Sequence, residues 1–321
     1  MEVSVVIPVF NADQYVEKAV ESAFEQTETA EVILVEDGSS DNSLKVCRSI
    51  AERDCRVKVH LHPNGDNRGA GASRNLGLMK AKCSYVAFLD ADDYYLSGRF
   101  KVARRVFREH PDADGVYGAI GTFFEDDASS LKWNRHGGRE ITTLRTRIPP
   151  EQLFRVLVDG NSGNFSIDAL VVKSSIFSKC GLFPENLRLH QDTAMIIQMA
   201  SSSRLYPGSL KSPVAVRRVH SNNRSISPFN RDLSSLHLWK TLFNWSVRRG
   251  CSGTQKKLLF RNYIYFAVKN IFRHSHSGTQ KLSLLAGCFC SCLTHPYLFL
   301  AVMAGYMNKY IMNPGNGDPE D

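Results

Sequence analysis

Asp90, Asp92 and Asp93 fall within four positions, directly after the apolar run Tyr85-Val86-Ala87-Phe88-Leu89. Carboxylates are seldom buried unless they are paired or hold a metal. The apolar run reads as a buried strand, so the three acids stand where that strand leaves its sheet. Asp90 and Asp92 are two apart and share a face if the backbone stays extended. Such a pair could hold a hard divalent cation, and magnesium or manganese would keep positions open for phosphate. An acidic turn with an Asp at a helix N-cap would use the same residues without a metal.

Two further stretches could touch a ligand. Asp37 follows an apolar strand and precedes Gly38. A carboxylate there can accept a hydrogen bond from a base N–H while the glycine permits a tight turn. Gly69, Gly71 and Gly77 flank Ser73-Arg74-Asn75. Glycines let backbone approach a ligand, and Arg74 offers planar, charge-assisted donors. The spacing is neither that of a P-loop nor that of a dinucleotide fingerprint, which disfavours an ATPase or an NAD enzyme. Plain turns, and an arginine on a helix surface, are the structural alternatives.

The elements that must position these residues follow from periodicity. Val3 to Phe10 reads as a strand, Ala12 to Gln26 as a helix, and Glu31 to Val35 as a second strand. Ser40 or Asp41 could cap a helix running to about Glu52. Val57 to Leu61 is a strand and Ala70 to Lys82 a helix. This alternation predicts a parallel sheet with helices on both faces. Ligands bind such sheets at the carboxyl ends of the strands, where Asp37 and Asp90 fall. Beyond them the pattern predicts a helix over Leu96–His110 and one strand over Asp114–Phe124. Residues 125–147 read as a hairpin or loop. A helix follows from Pro149 to about Val158, a strand over Asp168–Val172 and a helix over Lys173–Lys179. Another helix spans Gln191–Ser201, Pro207–Val219 is extended, and the chain is helical again after Pro228.

Taken in order, Val5-Val6-Ile7-Pro8-Val9-Phe10-Asn11, Val35-Glu36-Asp37-Gly38-Ser39-Ser40-Asp41, Asn67-Arg68-Gly69-Ala70-Gly71-Ala72-Ser73-Arg74-Asn75-Leu76-Gly77 and Asp90-Ala91-Asp92-Asp93 resemble the motifs of glycosyltransferase family 2. The resemblance is firm over residues 3–100 and continues more weakly to about residue 225. It implies a GT-A-like, Rossmann-type α/β fold whose mostly parallel sheet is flanked by helices over residues 1–225. A basic helical region over 226–312 and a flexible tail over 313–321 complete the expected organisation. It further implies transfer of a sugar from a nucleoside-diphosphate sugar, UDP being the family's usual carrier, to a hydroxyl of a glycan or lipid-linked acceptor in cell-surface polysaccharide synthesis. By the same resemblance Asp37 recognises uracil, Arg74 lies near the nucleotide, and Asp90 lies near the ribose and metal-bound waters. Asp92 then ligates Mn2+ or Mg2+, and Asp93 either supports the site or caps the next helix. His220, in Arg217-Arg218-Val219-His220, matches a segment near the donor diphosphate. Many members carry Glu-Asp after a Gly-x-Phe turn; here Gly181-Leu182-Phe183 precedes Gln191-Asp192. Asp192 fits the general base of an inverting transfer, whereas Gln191 can orient a group but cannot share charge. Asn164 would line the acceptor region, and Trp133 and His136 stand in the polar middle stretch. Two other readings compete: a non-catalytic sugar- or membrane-binding protein on a degenerate transferase fold, supported by Gln191, and a metal-dependent nucleotidyltransferase, which would release pyrophosphate.

Bulk composition adds constraints. The chain has 321 residues, 43% of them hydrophobic, enough for a sizeable core. The eight cysteines are irregularly spaced and read as free thiols in a reducing compartment. Residues 204–281 hold 15 Lys/Arg against the single acid Asp232, a net of +14, whereas residues 1–203 hold 24 against 28, a net of −4. Lys256, Lys257, Arg261 and Lys269 mingle with apolar residues as in a basic amphipathic helix, and Leu282–Met307 contains no charged residue. These features point to peripheral contact with an anionic membrane, at the inner face of the cytoplasmic membrane, since Glu2 precedes a strand rather than a signal peptide. Zinc-finger spacing and an RNA-binding aromatic signature are missing, which disfavours nucleic acid. No feature of the sequence fixes the oligomeric state.

Overall fold

A computed structural model describes residues 1–135, 137–220 and 231–273. The expectations for His136, for the uncharged 282–307 stretch and for the 313–321 tail fall outside those residues. The strands are β1 (Val3–Val9), β2 (Thr29–Glu36), β3 (Val57–Leu61), β4 (Tyr85–Phe88), β5 (Tyr94–Tyr95), β6 (Gly115–Tyr117), β7 (Ala119–Phe124), β8 (Ile141–Thr142), β9 (Leu170–Lys173), β10 (Leu205–Pro207) and β11 (Pro213–Val219). The helices are α1 (Val16–Phe24), α2 (Ser43–Arg53), α3 (Ala70–Lys80), α4 (Lys101–Glu109), α5 (Asp127–Arg135), α6 (Pro150–Asp159), α7 (Ile176–Cys180), α8 (Gln191–Ser202), α9 (Arg231–Arg248) and α10 (Gly253–Arg273).

A seven-stranded sheet of order β10-β6-β9-β4-β1-β2-β3 forms the centre of the first compact unit, Met1–Phe229. The pairs β4–β1, β1–β2, β2–β3 and β10–β6 are parallel, and β9 runs antiparallel between β4 and β6. β1 is buried almost throughout because both faces are covered. Val3, Val5, Ile7 and Val9 join Val16, Ala19, Val20 and Ala23 of α1 and Ala103, Val106 and Phe107 of α4 in one core. The alternate residues face the other helix layer. There Val6 lies directly under Gly77 of α3: a Cβ on Gly77 would come within 2.3 Å of Val6 Cγ1. On that side Phe88 meets the rings of Phe177 and Phe183, with centroids 6.4 and 5.2 Å apart.

The middle of the chain departs from the sequence-based expectation. The Asp114–Phe124 stretch is two strands in two sheets, broken at Gly118, whose N–H turns to Ala169 O at 3.0 Å. β7 belongs to a four-stranded sheet of order β5-β11-β7-β8. Residues 125–147 hold helix α5 and strand β8 rather than a simple hairpin or loop. α4 starts only at Lys101, because Tyr94–Tyr95 is taken up as an edge strand against Val216 and Ala215 of β11.

The second compact unit is Asn230–Asp321. Within it α9 and α10 pack through rings, Phe243 on Phe260 at 5.0 Å and Trp239 on Phe266 at 6.4 Å. Leu242, Leu259 and Ala267 are buried with them. Gly250, at φ 67°, lets the chain turn between the two helices. Among the described residues no helix is long and apolar enough to cross a membrane.

Gly77→Ala tests the contact that seats α3 on β1. Helix propensity alone would favour alanine by about 1 kcal/mol. The clash with Val6 should outweigh it and leave a net loss of about 1–3 kcal/mol. A lowered thermal midpoint by circular dichroism, partly restored by Val6→Ala in the same chain, is the expected result. An alanine variant as stable as the wild type would exclude the close approach.

Candidate active site

The carboxyl ends of β1, β2 and β4 lie side by side, and their loops are fixed by buried side chains. Glu36, 3% exposed, accepts from the N–H groups of Gly38 and Ser39 at 3.3 and 2.6 Å and so shapes the turn after β2. Asn11 Oδ1 accepts from Ser40 N–H at 2.9 Å, tying the β1 loop to that turn. Asp37 is buried, and its carboxylate accepts from the backbone N–H groups of Arg68 (2.7 Å) and Gly69 (2.9 Å) with His62 Nε2 at 3.5 Å. Asp37 therefore anchors the 67–69 loop. Gly38 sits at φ 72° so close to that loop that a Cβ would lie 2.6 Å from Gly65 O.

The Asp90–Asp93 turn follows β4. Asp90 Oδ1 accepts from Arg74 Nη2 at 2.5 Å, and Arg74 is buried on α3. The remaining nitrogens of that guanidinium, Nε and Nη1, are buried without a hydrogen-bond partner. The Asp90 N–H donates to Asp168 Oδ1 at 3.0 Å. Asp168 comes from the short turn before β9, and its Oδ2 accepts from Ser166 Oγ at 2.8 Å. Its carbonyl accepts from Arg99 Nη2 at 2.8 Å. Asp90, Asp93 and Asp168 bring carboxylate oxygens within 4.8 Å of one another. Sequence reasoning missed Asp168, which it took only as the first residue of a strand. The available signal was a carboxylate set in the apolar run Phe165–Val172.

Strand β11 closes the turn from the other side. Arg218 N–H donates to Asp93 Oδ1 at 2.8 Å, and Arg218 Nε donates to the Asp92 carbonyl at 3.1 Å. His220 Nε2 lies 3.3 Å from Asp92 Oδ2, and its ring stacks on Tyr15 with centroids 4.9 Å apart. Tyr15 donates its hydroxyl to Glu125 Oε2 at 3.2 Å. Asp92 and His220 thus bring a carboxylate oxygen and an imidazole nitrogen together; the oxygen suits manganese or magnesium, while the nitrogen suits manganese better than magnesium.

Asp192 lies in the first turn of α8, where its Oδ1 accepts from Thr193 N–H at 2.7 Å. The turn ahead of α8 is held to α3 by Asn75: Nδ2 donates to Phe183 O and Glu185 Oε1, both at 3.0 Å, and Oδ1 accepts from Phe183 N–H at 2.9 Å. Gln191 packs its side chain near Gly71, and its Oε1 is buried without a hydrogen-bond partner. Asn164 is exposed on the loop before Ser166. The structure therefore gathers Arg74, Asp90, Asp92, Asp93 and His220 into one contact network, joined by Asp168. Asp192 reaches it through the field of Arg74, while Asp37 acts on the neighbouring loop.

Charge crowding sets the proton affinities. Asp90 is pushed up to about 7, first by burial and next by Asp168, against the pull of Arg74. Asp93 is pushed well above the usual carboxylate range by burial and then by Asp92, Asp168 and Asp90. Arg74 is held above its ordinary value despite burial, which alone would lower it, because Asp90, Asp192 and Asp168 surround it. Burial lowers His190, with Asp192 opposing.

Residues 4–173, more than half of the chain, match the sequence model of Glycosyl transferase family 2. The chain belongs to glycosyltransferase family 2. Glycosyltransferase GlyG of Streptococcus pneumoniae is 35% identical over 128 residues, 40% of this chain and 42% of the relative. The minor teichoic acid biosynthesis protein GgaB of Bacillus subtilis is 27% identical over 206 residues, 63% of this chain and 21% of the relative. The chain thus spans less than half the length of these curated relatives. Among solved structures, Staphylococcus aureus TarS 1-349 in complex with UDP-GlcNAc superposes with a TM-score of 0.64 at 18% identity, over 84% of this chain and 73% of that one. The mannosyltransferase PcManGT of Pyrobaculum calidifontis, in complex with GDP-Man and Mn2+, gives 0.51 at 17% identity, over 97% and 86%. The mostly parallel seven-stranded sheet with its flanking helices is the GT-A fold of these transferases.

In this family 2 chain the acidic turn has a measurable pH signature. Raised carboxylates bind a proton more tightly in the folded state. For Asp90 that stabilising contribution is complete below the unfolded value of about 4 and is lost as pH rises through about 7. Asp90 keeps 41% of its side chain exposed, which moderates the effect. In protein stripped with EDTA, the thermal midpoint of the wild type should rise relative to that of Asp90→Asn as pH falls from about 8 to about 6. Parallel curves for the two proteins would refute the raised value.

Proposed function

We propose that this chain is an inverting glycosyltransferase that moves a sugar from a nucleoside-diphosphate sugar, UDP being the carrier, to a hydroxyl of a glycan or lipid-linked acceptor in cell-surface polysaccharide synthesis. One observation carries the reading. The buried Arg74 guanidinium pairs with Asp90 of the acidic turn and also lies in the field of Asp192 at the start of α8. A donor motif and a distal carboxylate are thus organised around one cation. The names of TarS with UDP-GlcNAc and of GgaB support the donor class and the envelope setting.

In this reading the loop anchored by Asp37 receives the nucleobase, uracil by the family resemblance. The free nitrogens of Arg74 donate to a donor oxygen, satisfying groups whose burial without a partner would cost about 1–3 kcal/mol each. Asp92 and His220 would hold Mn2+ or Mg2+, which supplies positive charge to the departing diphosphate. Asp93 and Asp168 keep the turn in place through Arg218 and the Asp90 N–H. Asp192 takes the proton of the acceptor hydroxyl as that oxygen attacks the anomeric carbon from the face opposite the diphosphate. Gln191 orients a ligand hydroxyl with its unpartnered Oε1. The unit from Asn230 onwards, rich in Lys and Arg, makes peripheral contact with anionic lipid on the cytoplasmic face. The unsatisfied donors of Arg74 and acceptor of Gln191 favour this over a degenerate, non-catalytic fold, since both stand ready for a polar ligand.

Asp192→Asn keeps shape and removes basicity. It should leave UDP affinity unchanged and cut turnover by roughly 10²–10⁴-fold. Asp92→Asn should instead lose the metal-dependent part of UDP binding as well, read by calorimetry with and without EDTA. Transfer at the wild-type rate by Asp192→Asn, or a product retaining the donor's anomeric configuration by NMR, would refute the assignment. Pyrophosphate rather than UDP as the released product would favour a nucleotidyltransferase.

A further inference from the structure

Arg217 and Arg218 are neighbours on β11 and face opposite sides of the strand. Arg218 is fully engaged, by Asp92 O, by Glu125 and by the rings of Tyr15, Tyr94 and Phe123. Arg217 instead lies over the indole of Trp133, its Cζ 5.6 Å from the ring centroid. The indole is fixed from below. Its Nε1–H donates to Arg139 O at 3.4 Å, and a Cβ on Gly138 would come within 2.2 Å of the ring. Trp133 is thus a seat for a guanidinium, rather than a platform with two open faces. The Arg217 guanidinium has no hydrogen-bond or ion-pair partner among the described residues. A stacked guanidinium with its donors unspent is pre-organised for a planar or tetrahedral oxyanion.

Its surroundings say which anion. Arg217 pairs in register with Thr122 on β7, and both Thr122 and Trp133 donate to the Arg139 carbonyl, so its surroundings come from one part of the chain. None of these residues belongs to the loops at the ends of β1 and β2. Arg139 Nη1 lies 3.5 Å from the position a Gly163 Cβ would take, which brings in the loop bearing the exposed Asn164. The segment 129–147 carries five Lys/Arg against the single acid Glu140. The next residue, Arg218, donates its N–H to Asp93, and the Arg217 charge opposes the rise in the Asp93 pKa. A positive patch thus adjoins the acidic turn along β11.

We propose that Arg217, seated on Trp133, binds a phosphate group carried by the acceptor, with Arg139 and Asn164 at the outer edge of the same subsite. This rests on the glycosyl-transfer reading and specifies the acceptor class as phosphate-bearing. Glycerol 3-phosphate, with glycerol as its neutral counterpart, is the probe, followed by ligand-observed NMR on the full chain saturated with UDP and Mg2+. The wild type should bind glycerol 3-phosphate and not glycerol. Arg217→Gln should weaken that binding by about tenfold, the worth of one charge-assisted contact. Arg217→Lys should restore it only in part, because a lysine does not stack on the indole. UDP affinity of Arg217→Gln should equal that of the wild type. Equal binding of both probes, or undiminished binding by Arg217→Gln, would overturn the proposal. A parallel loss of UDP affinity would also overturn it, by assigning Arg217 to the donor's diphosphate. Failure of the wild type to bind UDP would overturn the donor reading, while the comparison between the two probes would still decide the phosphate site.

Discussion

Arg74 is a cation almost wholly removed from water, and burying such a charge is tolerated only with compensation at hand. Asp90 supplies the contact, while Asp168 and Asp192 supply field. The dependence is mutual. The three carboxylates after β4, with Asp168 beside them, would repel one another without that guanidinium, and losing Asp90 would leave the buried Arg74 charge without its contact partner. The guanidinium arrives only because α3 lies unusually low on β1. Arg74 and Gly77 are three residues apart and so share a helix face. The missing Cβ of Gly77 is what lets that face descend onto Val6. Asn75, the next residue, clasps the turn that precedes α8. One helix therefore sets the position of the acidic turn and of Asp192 together.

A second buried arginine does a different task. Arg99 sits against the rings of Tyr95 and Phe100 and gives its N–H groups to the Asp168 carbonyl rather than to its carboxylate. Burial pulls its affinity for a proton down, with Tyr95 and Asp168 opposing. Because the carbonyl takes the arginine, the Asp168 carboxylate stays available for the Asp90 N–H and the Ser166 hydroxyl. The acidic turn is thus gripped through its backbone at the Asp90 N–H and the Asp92 carbonyl, and through its side chains by Arg74 and the Arg218 N–H.

The first hundred residues were legible because each motif there is local. A strand delivers a carboxylate to a glycine turn, and periodicity places both. Asp168 was not legible, since its role depends on β9 entering antiparallel beside β4, a pairing between segments about eighty residues apart. The split of Asp114–Phe124 was hidden for a like reason: Gly118 permits a change of sheet, but only the partners β9 and β11 require it. Asp37 shows the reverse case. Its position after β2 was read correctly as a turn carboxylate, but periodicity gave no sign that the carboxylate accepts from the N–H groups of Arg68 and Gly69, about thirty residues on. That contact holds the 67–69 loop.

Strand β11 is where the two halves of the site meet. It pairs with β5, just beyond the acidic turn, and with β7, which leads into Glu125 and α5. Alternation along a strand forces consecutive side chains apart, so Arg218 and Arg217 must serve different neighbours. Arg218 and His220 brace the Asp92–Asp93 turn. Arg217 turns toward Trp133 and the basic middle segment. A one-residue slip of β11 against β7 would exchange these roles and put an unpaired guanidinium into the aromatic cluster of Tyr15, Tyr94 and Phe123. The register of this single strand therefore separates an arginine bonded to the acidic turn from one stacked on Trp133.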